Sequence, residues 1–403
     1  MSLTIYRLAR RLLPLVAKRS LMARVAAGRE HPKNWIEKMG VPSLPRPNGP
    51  LVWLHAVGLG EVLSLRGLIA ALHDANPALQ FLVTTSSLAA ADAFAKQDLP
   101  RTQHQFLPLD APHYVAVFLD HWSPQIVVWA EQDLWPGLIC DVAKRNIPQV
   151  LVNARMNNTS AAKHRRLRGA FRKALNHMEF ITAQDTQTAE NLTTLGAEQT
   201  IAITGGTKAG APPLAHDPAF LDELQLTAKG RRIWLCISAY IEDVAIAVEA
   251  QAIVHQTDPS VLLIIAPRHI DLVLDMAIPR RSKGQAPDGP IWVCDTLGDL
   301  GVLYRAADIA LIGGTFHAIE GHNPWEAIAL GCGVLHGPRT ANFASDFAAL
   351  DDCGAAASVP DAKAIADAIL VKTRHPNATN ADSLLAVAKG DVAALADRIL
   401  RLL

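Results

Sequence analysis

A chain of 403 residues, 50% of them apolar, has enough material for two or three packed cores and is not a disordered or low-complexity protein. Its 38 Lys and Arg balance 38 Asp and Glu, so no global positive excess argues for nucleic acid as a partner. The five cysteines, Cys140, Cys236, Cys294, Cys332 and Cys353, are odd in number, widely spaced and without a CxxC pair, which fits reduced core thiols of a cytosolic protein rather than a disulfide framework or zinc site.

The opening MSLTIYRLARRLLPLVAKRS has arginines where a cleavable secretory signal needs an unbroken apolar run, and no clear small-residue cleavage site. Read as a helix, it gathers Ile5, Leu8, Ala9, Leu12, Leu13 and Val16 on one face and sets Arg7, Arg10, Arg11 and Lys18 elsewhere. Residues 1–40 hold nine Lys or Arg against two Glu. Two readings fit. One is a basic amphipathic helix lying on an anionic membrane surface; the other is a solvated helix packed on the protein's own body, with Pro14 kinking or ending it. Charges that interrupt the apolar run well short of ~20 residues argue against a full transmembrane span.

After a Pro-rich stretch at 41–50, short apolar runs alternate with segments of helical character. Strands are predicted at 51–57 (LVWLHAV), 81–85 (FLVTT), 125–131 (QIVVWAE), 149–155 (QVLVNAR), 180–184 (FITAQ) and 201–206 (IAITGG). Their Val and Ile content and continuous apolarity suit parallel strands covered by helices on both faces. The small and Pro-rich segment 205–218 reads as a linker. A second series follows at 233–238 (IWLCIS), 261–267 (VLLIIAP), 291–295 (IWVCD), 308–314 (DIALIGG) and 333–337 (GVLHG). The pattern predicts an α/β protein of two Rossmann-like doubly wound parallel-sheet domains facing a cleft, because ligands in such sheets sit beyond the carboxyl ends of the strands.

Within this frame the stretch LVWLHAVGLGEVL (51–63) sets Glu61 just after Gly58, Leu59 and Gly60. An acid there either serves the first turn of a helix, where unpaired N–H groups favour negative charge, or takes a proton from a substrate that approaches the bare turn. There is no GxxxxGK[ST] phosphate loop, HExxH pair or GxSxG elbow. The GLGEVL segment has Leu63 where a dinucleotide fingerprint needs its third glycine, and the next strand ends in TTSS without a ribose-binding acid, which disfavours a nicotinamide enzyme.

What remains is a set of polar residues after strand ends: Glu131, Arg155, Lys208, Arg268 and His269, with Gly313, Gly314, Asn323 and Glu326 in GGTFHAIEGHNPWEA. Each has a structural reading, as a solvated strand-end charge or, for Asn323 before Pro324, a helix cap. Taken together they suit an enzyme that joins two substrates. Bare N–H groups beside Gly313 and Gly314 are expected to bind a phosphate, with Lys208 and Arg268 adding positive charge as a leaving group departs. Glu326 is expected to accept hydrogen bonds from a ribose. No Asp-rich metal cluster is evident, and the site needs no metal if cations and dipoles cover the phosphate charge. The run KHRRLRGAFRK (163–173), with six Lys or Arg and no acid, suits either an acceptor's phosphates or membrane surface, or a solvated helix face.

The residues HAVGLGEV, TTSS, EQDLWP, LVNAR, TGGTK, IIAPRH, DTLGDLGVLYRAADIALIGGT, GHNPWEA and GPRTANF, in this order from about residue 30 to near the C-terminus, resemble the 3-deoxy-D-manno-octulosonic acid (Kdo) transferases of lipopolysaccharide synthesis. The resemblance implies a GT-B glycosyltransferase. It divides the chain into a membrane-associating segment 1–40, an acceptor-binding domain 41–210 and a CMP-sugar-binding domain 211–403 whose closing helix returns to the first domain. It implies inverting, metal-independent transfer of Kdo from CMP-Kdo to a lipid A precursor, without a cofactor or nucleic acid, at the cytoplasmic side of the inner membrane. Glu61 is then the proton acceptor, and Glu131 and Lys208 stabilise the transition state. CMP contacts fall on Pro267 and Arg268, on Leu297, Gly298 and Asp299, and on Asn323, Pro324, Trp325 and Glu326.

The chain departs from the family pattern where Gly58 replaces Ser, Gly206 and Gly137 each replace Asn, and Ala239 and Tyr240 replace a Thr-His pair; TTSSLAA also lacks the family's Thr-rich, Gly-containing continuation. These departures leave open a GT-B glycosyltransferase with another nucleotide-sugar donor or acceptor, and a membrane-associated homologue that binds without turnover.

Overall fold

The computed structural model describes residues 3–57, 59–95, 99–131, 134–204, 206–270, 272, 277–371 and 375–403; the side chains of residues 3–5, 7, 59–63, 93 and 207 lie outside that description. The chain forms two compact units, one of Met1–Pro212 with Ala388–Leu403 and one of Pro213–Val387.

Among the described residues the first unit carries a seven-stranded parallel sheet. Its strands are β1 (Leu51–His55), β2 (Gln80–Thr85), β3 (Thr102–Phe106), β4 (Ile126–Ala130), β5 (Gln149–Ala154), β6 (Phe180–Ala183) and β7 (Ile201–Ile203), in the order β3-β2-β1-β4-β5-β6-β7. Side chains alternate across a strand, so a continuous apolar run feeds two cores at once. Leu51, Trp53, Val127 and Trp129 enter one layer. Val52, Leu54, Ile126 and Val128 enter the other, which is completed by Leu395, Ala396 and Ile399 from the last helix, Asp382–Leu400. Buried indole N–H groups find partners inside the sheet: Trp53 donates to Thr84 Oγ1 at 2.9 Å and Trp129 to Gln149 Oε1 at 3.0 Å.

The second unit has six parallel strands among its described residues. They are β8 (Ile233–Ala239), β9 (Leu262–Pro267), β10 (Ile291–Val293), β11 (Ile309–Ile312), β12 (Gly333–His336) and β13 (Ala356–Ser358), in the order β10-β9-β8-β11-β12-β13. Both sheets thus grow outward in two directions from a central pair, β1 and β4 in one and β8 and β11 in the other. Loops leaving such a pair diverge to opposite faces and open a crevice at the carboxyl edge.

Two strands escape the apolar-run pattern, β3 and β13, and both lie at a sheet edge. TQHQF buries only its last two residues, and AAS is too short and small to stand out. The run predicted at 201–206 pairs over only Ile201–Ile203, again at an edge.

The N-terminal helix spans Leu3–Ala26 and runs through Pro14 instead of ending there. Its arginines are not a uniformly solvated set. Arg10 is only 9% exposed and joins Asp110 at 2.7 Å and Asp141 at 2.5 Å. The Tyr6 hydroxyl bonds Asp110 and accepts from the Gly137 N–H at 3.0 Å, while Ala17 and Leu21 are buried. The departure at Gly137 has its reason here: a Cβ at that position would lie 2.0 Å from Arg10 Nε. A side chain at 137 would force the buried Arg10 guanidinium to move.

Burial pushes the Asp110 carboxyl up in pKa, and the Arg10 charge pulls it back. Arg10→Ala leaves the buried Asp110 with only the Tyr6 hydroxyl, while Asp141 keeps Lys144, and is expected to cost about 3 kcal/mol, the scale for breaking a buried ion pair. A lower urea midpoint checks this. The outward face keeps Leu8, Leu12, Leu15, Val16 and Met22 exposed, with Leu15 at 79%.

Candidate functional site

In the first unit, residues of the anticipated set lie at the carboxyl edge beside the β1/β4 pair. β1 leads into the helix Leu59–Ala75, whose third residue is Glu61. Gly58 and the Glu61 side chain fall outside the described residues. β4 ends at Ala130, and Glu131 follows with a left-handed backbone, φ 60°, and 4% exposure. A non-glycine residue in that region is held there by its surroundings. The Glu131 N–H donates to Val152 O at 3.1 Å, and its carbonyl accepts the Arg155 N–H at 3.4 Å. Burial pushes its carboxyl up in pKa, and the charges of Lys208 and Arg155 pull it down.

Lys208 stands on the short turn Thr207–Gly210. That turn is packed tightly on two sides: a Cβ at Gly67 would lie 2.9 Å from Gly210 O, and one at Gly210 would lie 2.7 Å from both Ala388 O and a Val392 methyl. Bare backbone on the helix Leu59–Ala75 and in the turn thus lets the lysine segment sit close to the sheet edge. Glu131, Arg155 and Lys208, far apart in sequence, form one electrostatic cluster.

The second unit shows its own constellation beyond β8, β9 and β11. Tyr240 follows β8 and stacks parallel on His317 at 4.4 Å and on His322 at 5.8 Å, with His269 edge-on at 5.9 Å. The Arg268 N–H donates to Ala239 O at 3.0 Å, tying the end of β9 to that of β8. Burial first, then the nearby Arg268 charge, lowers the His322 pKa to about 4, so its ring is neutral at physiological pH. Arg268, His269 and the GHN segment therefore meet around Tyr240, one of the positions at which the chain departs from the pattern it resembles.

The amides of Gly313 and Gly314 themselves are engaged within the protein: Gly313 donates to Ile237 O at 2.7 Å and Gly314 to Asp243 Oδ2 at 2.7 Å. Asp243 is fully buried and also accepts from the N–H groups of Phe316 and Tyr240, at 3.1 and 2.9 Å. Both glycines are required by packing, since a Cβ at Gly313 would lie 2.3 Å from Ser238 O and one at Gly314 would lie 2.4 Å from an Ile319 methyl.

Asn323 does use its side chain near the helix start, accepting from the Trp325 N–H at 3.1 Å, but Pro324 takes the cap position and the helix Trp325–Ile328 is a single turn. Its amide also reaches Glu326 Oε1 at 3.5 Å. The Trp325 ring is buried and its N–H donates to Asp346 Oδ1 at 2.7 Å. Pro267 closes β9. Leu297 is exposed, Gly298 has open space around its Cα at φ 96°, and Asp299 is paired with Arg281 at 3.0 Å.

Sequence reasoning missed Asp243 and Asn153. Asp243 had a usable signal, an acid three residues after the helix-capping position at Tyr240. Asn153 had none beyond its place in LVNAR.

Residues 33–211 match the family model described as 3-deoxy-D-manno-octulosonic-acid transferase. A probable mitochondrial 3-deoxy-D-manno-octulosonic acid transferase of Arabidopsis thaliana is 30% identical over 335 residues, covering 78% of this chain and 75% of that one. The 3-deoxy-D-manno-octulosonic acid transferase of Bordetella pertussis is 30% identical over 357 residues, covering 82% and 81%. In fold, the glycotransferase of kitacinnamycin is similar at a TM-score of 0.52 and 13% identity, covering 89% of this chain and 100% of that one. With two Rossmann-like units and relatives that align over most of both chains, the protein belongs to the Kdo transferases, a family of GT-B glycosyltransferases.

Proposed function

We propose that this protein transfers Kdo from CMP-Kdo to a lipid A precursor, with inversion, without a metal ion, and at the cytoplasmic face of the inner membrane. The observation that carries the reading is the cluster at the carboxyl edge of the first sheet. There the buried Glu131 shares its surroundings with the charges of Lys208 and Arg155.

In this reading a hydroxyl of the acceptor attacks the anomeric carbon of Kdo from the side opposite the phosphate. Glu61 takes the hydroxyl proton as the new C–O bond forms, and the bond to the phosphate oxygen breaks to release CMP. The sugar gains positive character in the transition state, which the Glu131 carboxylate stabilises, while Lys208 meets negative charge on the departing phosphate. CMP carries one phosphate, so the charge to be covered is smaller than for a diphosphate. The donor set is Pro267, Arg268, Leu297, Gly298, Asp299, Asn323, Pro324, Trp325 and Glu326. Gly313 and Gly314 belong to the adjoining loop, which is held through Ile237 O and Asp243 and presents the donor-side backbone.

The test is incubation with CMP-Kdo and a tetraacylated lipid A precursor, followed by mass spectrometry. The expected product carries added Kdo, CMP appears only when acceptor is present, and a chelator leaves the rate unchanged. A second reading, a different nucleotide-sugar donor, is favoured by the Tyr240 stack at a position where the family has Thr-His. Thermal shift across CMP- and UDP-sugars separates the two, because a ligand that binds the native state stabilises it by mass action. Stabilisation by a UDP-sugar and not by CMP-Kdo would replace the first reading with the second.

Support for the membrane comes from the N-terminal helix. Among the described residues no helix is long and apolar enough to cross a bilayer. Yet the helix Leu3–Ala26 turns Leu8, Leu12, Leu15, Val16 and Met22 outward, between exposed Arg11, Lys18 and Arg19. A face of this kind buries apolar side chains in the interface while its cations meet anionic headgroups. Replacing both Leu12 and Leu15 by Glu is expected to lower the fraction that floats with phosphatidylglycerol vesicles by at least about tenfold, on the scale of two leucine transfers. Co-flotation equal to the wild type would remove this face from the proposal.

A further inference from the structure

β5 is not a regular strand. Against β6, the three residue steps from Leu151 to Ala154 face only two, from Ile181 to Ala183, so β5 carries one extra residue. Such a bulge bends the strand and re-aims a side chain, since a one-residue change of register turns it to the other face of the sheet.

Asn153 lies in this bulge, with φ 54° and 2% exposure. Asparagine is among the residues that tolerate the left-handed region. The backbone groups that the bulge takes from the ladder are met by side chains of the neighbouring segment. The Asn153 N–H donates to Thr182 Oγ1 at 2.9 Å, and its carbonyl accepts from Gln184 Nε2 at 3.1 Å. Thr182 is itself only 3% exposed. The bulge is therefore built and fixed, with every backbone donor and acceptor of Asn153 accounted for. Its amide reaches the residue opposite: Asn153 Nδ2 lies 3.4 Å from Glu131 Oε1. Glu131 is likewise left-handed, and its own N–H bonds Val152 O just before the bulge.

We propose that Asn153 is a positioning residue for Glu131, and that the β5 bulge, pinned by Thr182 and Gln184, exists to aim its carboxamide at that carboxylate. The inference rests on the reading of Glu131 as part of the reaction. A carboxylate with only 4% exposure meets little water, so protein groups set its rotamer. An amide donor both orients it and favours its charged form. The charges of Lys208 and Arg155 act on the same group, and the Asn153 amide adds a neutral donor aimed at Oε1.

The experiment compares Asn153→Gly and Asn153→Asp with the wild type in kcat, KM for CMP-Kdo, the pH profile of kcat and the melting temperature. Glycine keeps the left-handed backbone and removes only the amide. Aspartate keeps the shape and the backbone preference but places a like charge beside Glu131. For Asn153→Gly the expected result is a fall in kcat of roughly ten- to a hundredfold, on the scale of a hydrogen bond to a charged group, with KM unchanged. The acid limb of the profile is expected to move to higher pH, and further in Asn153→Asp than in Asn153→Gly. A purely structural role lowers the melting temperature without moving that limb. An acid limb fixed in both variants therefore overturns the proposal, as does a kcat within twofold of wild type. Glu131→Gln run in parallel keeps two failures apart. If it retains wild-type turnover, the reading of Glu131 fails and this inference with it. If it loses turnover while the Asn153 variants show no shift, only the positioning role fails.

Discussion

Replacing Glu61 with alanine is expected to lower kcat for Kdo transfer by ~10²–10⁴-fold, the range for loss of a positioned general base, while the protein stays folded and still binds CMP-Kdo. A sugar hydroxyl does not lose its proton at neutral pH, so attack needs a group to accept it as the bond forms. The residue is the third of the helix Leu59–Ala75, which leaves β1 at one side of the central pair of the first sheet. The competing explanation, an acid placed only to suit the first helical turn, makes a different numerical statement. Loss of that interaction costs about 0.3–1 kcal/mol of stability and nothing in turnover. Single-turnover kinetics with a parallel melting curve decides between them: a small stability loss with wild-type chemistry would falsify the base assignment.

Glu131→Gln is expected to remove about 10²–10³-fold of kcat, the effect of losing one preorganised electrostatic partner of the transition state, and at the same time to raise the melting temperature. The two effects share a cause. Burial holds the Glu131 carboxyl above its usual pKa even with Lys208 and Arg155 nearby, so ionising it costs the folded state more than the unfolded one. For a group shifted in this direction, its contribution to stability is greatest at low pH and falls as pH rises through the folded-state pKa. Glutamine does not titrate. The stability advantage of the variant is therefore expected to be small at acid pH and to widen towards neutrality. Melting curves across that range check the sign, and an advantage that shrinks with rising pH would contradict the burial argument. Lys208→Ala removes the larger of the two cationic influences, and is expected to lower kcat and to move its acid limb to higher pH.

Much of the site's location was legible before any coordinates because parallel sheets carry function at a fixed place. Once Glu131, Arg155 and Arg268 are read as residues that close apolar runs, the topology sends them to the carboxyl edge. The Rossmann-like pairing was legible for a related reason: strands such as LVWLH and LLIIAP are apolar on both faces, and only a sheet covered on both sides accommodates them. The edge strands β3 and β13 lack that signature. TQHQF is only half-buried over its first three residues, and the apolar pattern weakens with the burial that creates it.

Details of the site were less legible. The Gly314 N–H, for example, is met by Asp243, 71 positions away. The sequence shows the donor but not what fills it. Asn153 is another instance, because a bulge is an offset between two strands and has no mark within one of them.

The sequence by itself determined the family, the two doubly wound sheets and the residues at their carboxyl ends, since motif order and the period of apolar side chains are properties of neighbouring residues. Only the tertiary structure decided that Arg10 is buried between Asp110 and Asp141, that Gly137 is bare to admit it, and that Glu131 sits under the amide of Asn153. Burial and hydrogen-bond satisfaction are fixed by partners that the fold brings in from afar. Arg10 and Asp141 stand 131 positions apart along the chain and 2.5 Å apart in space.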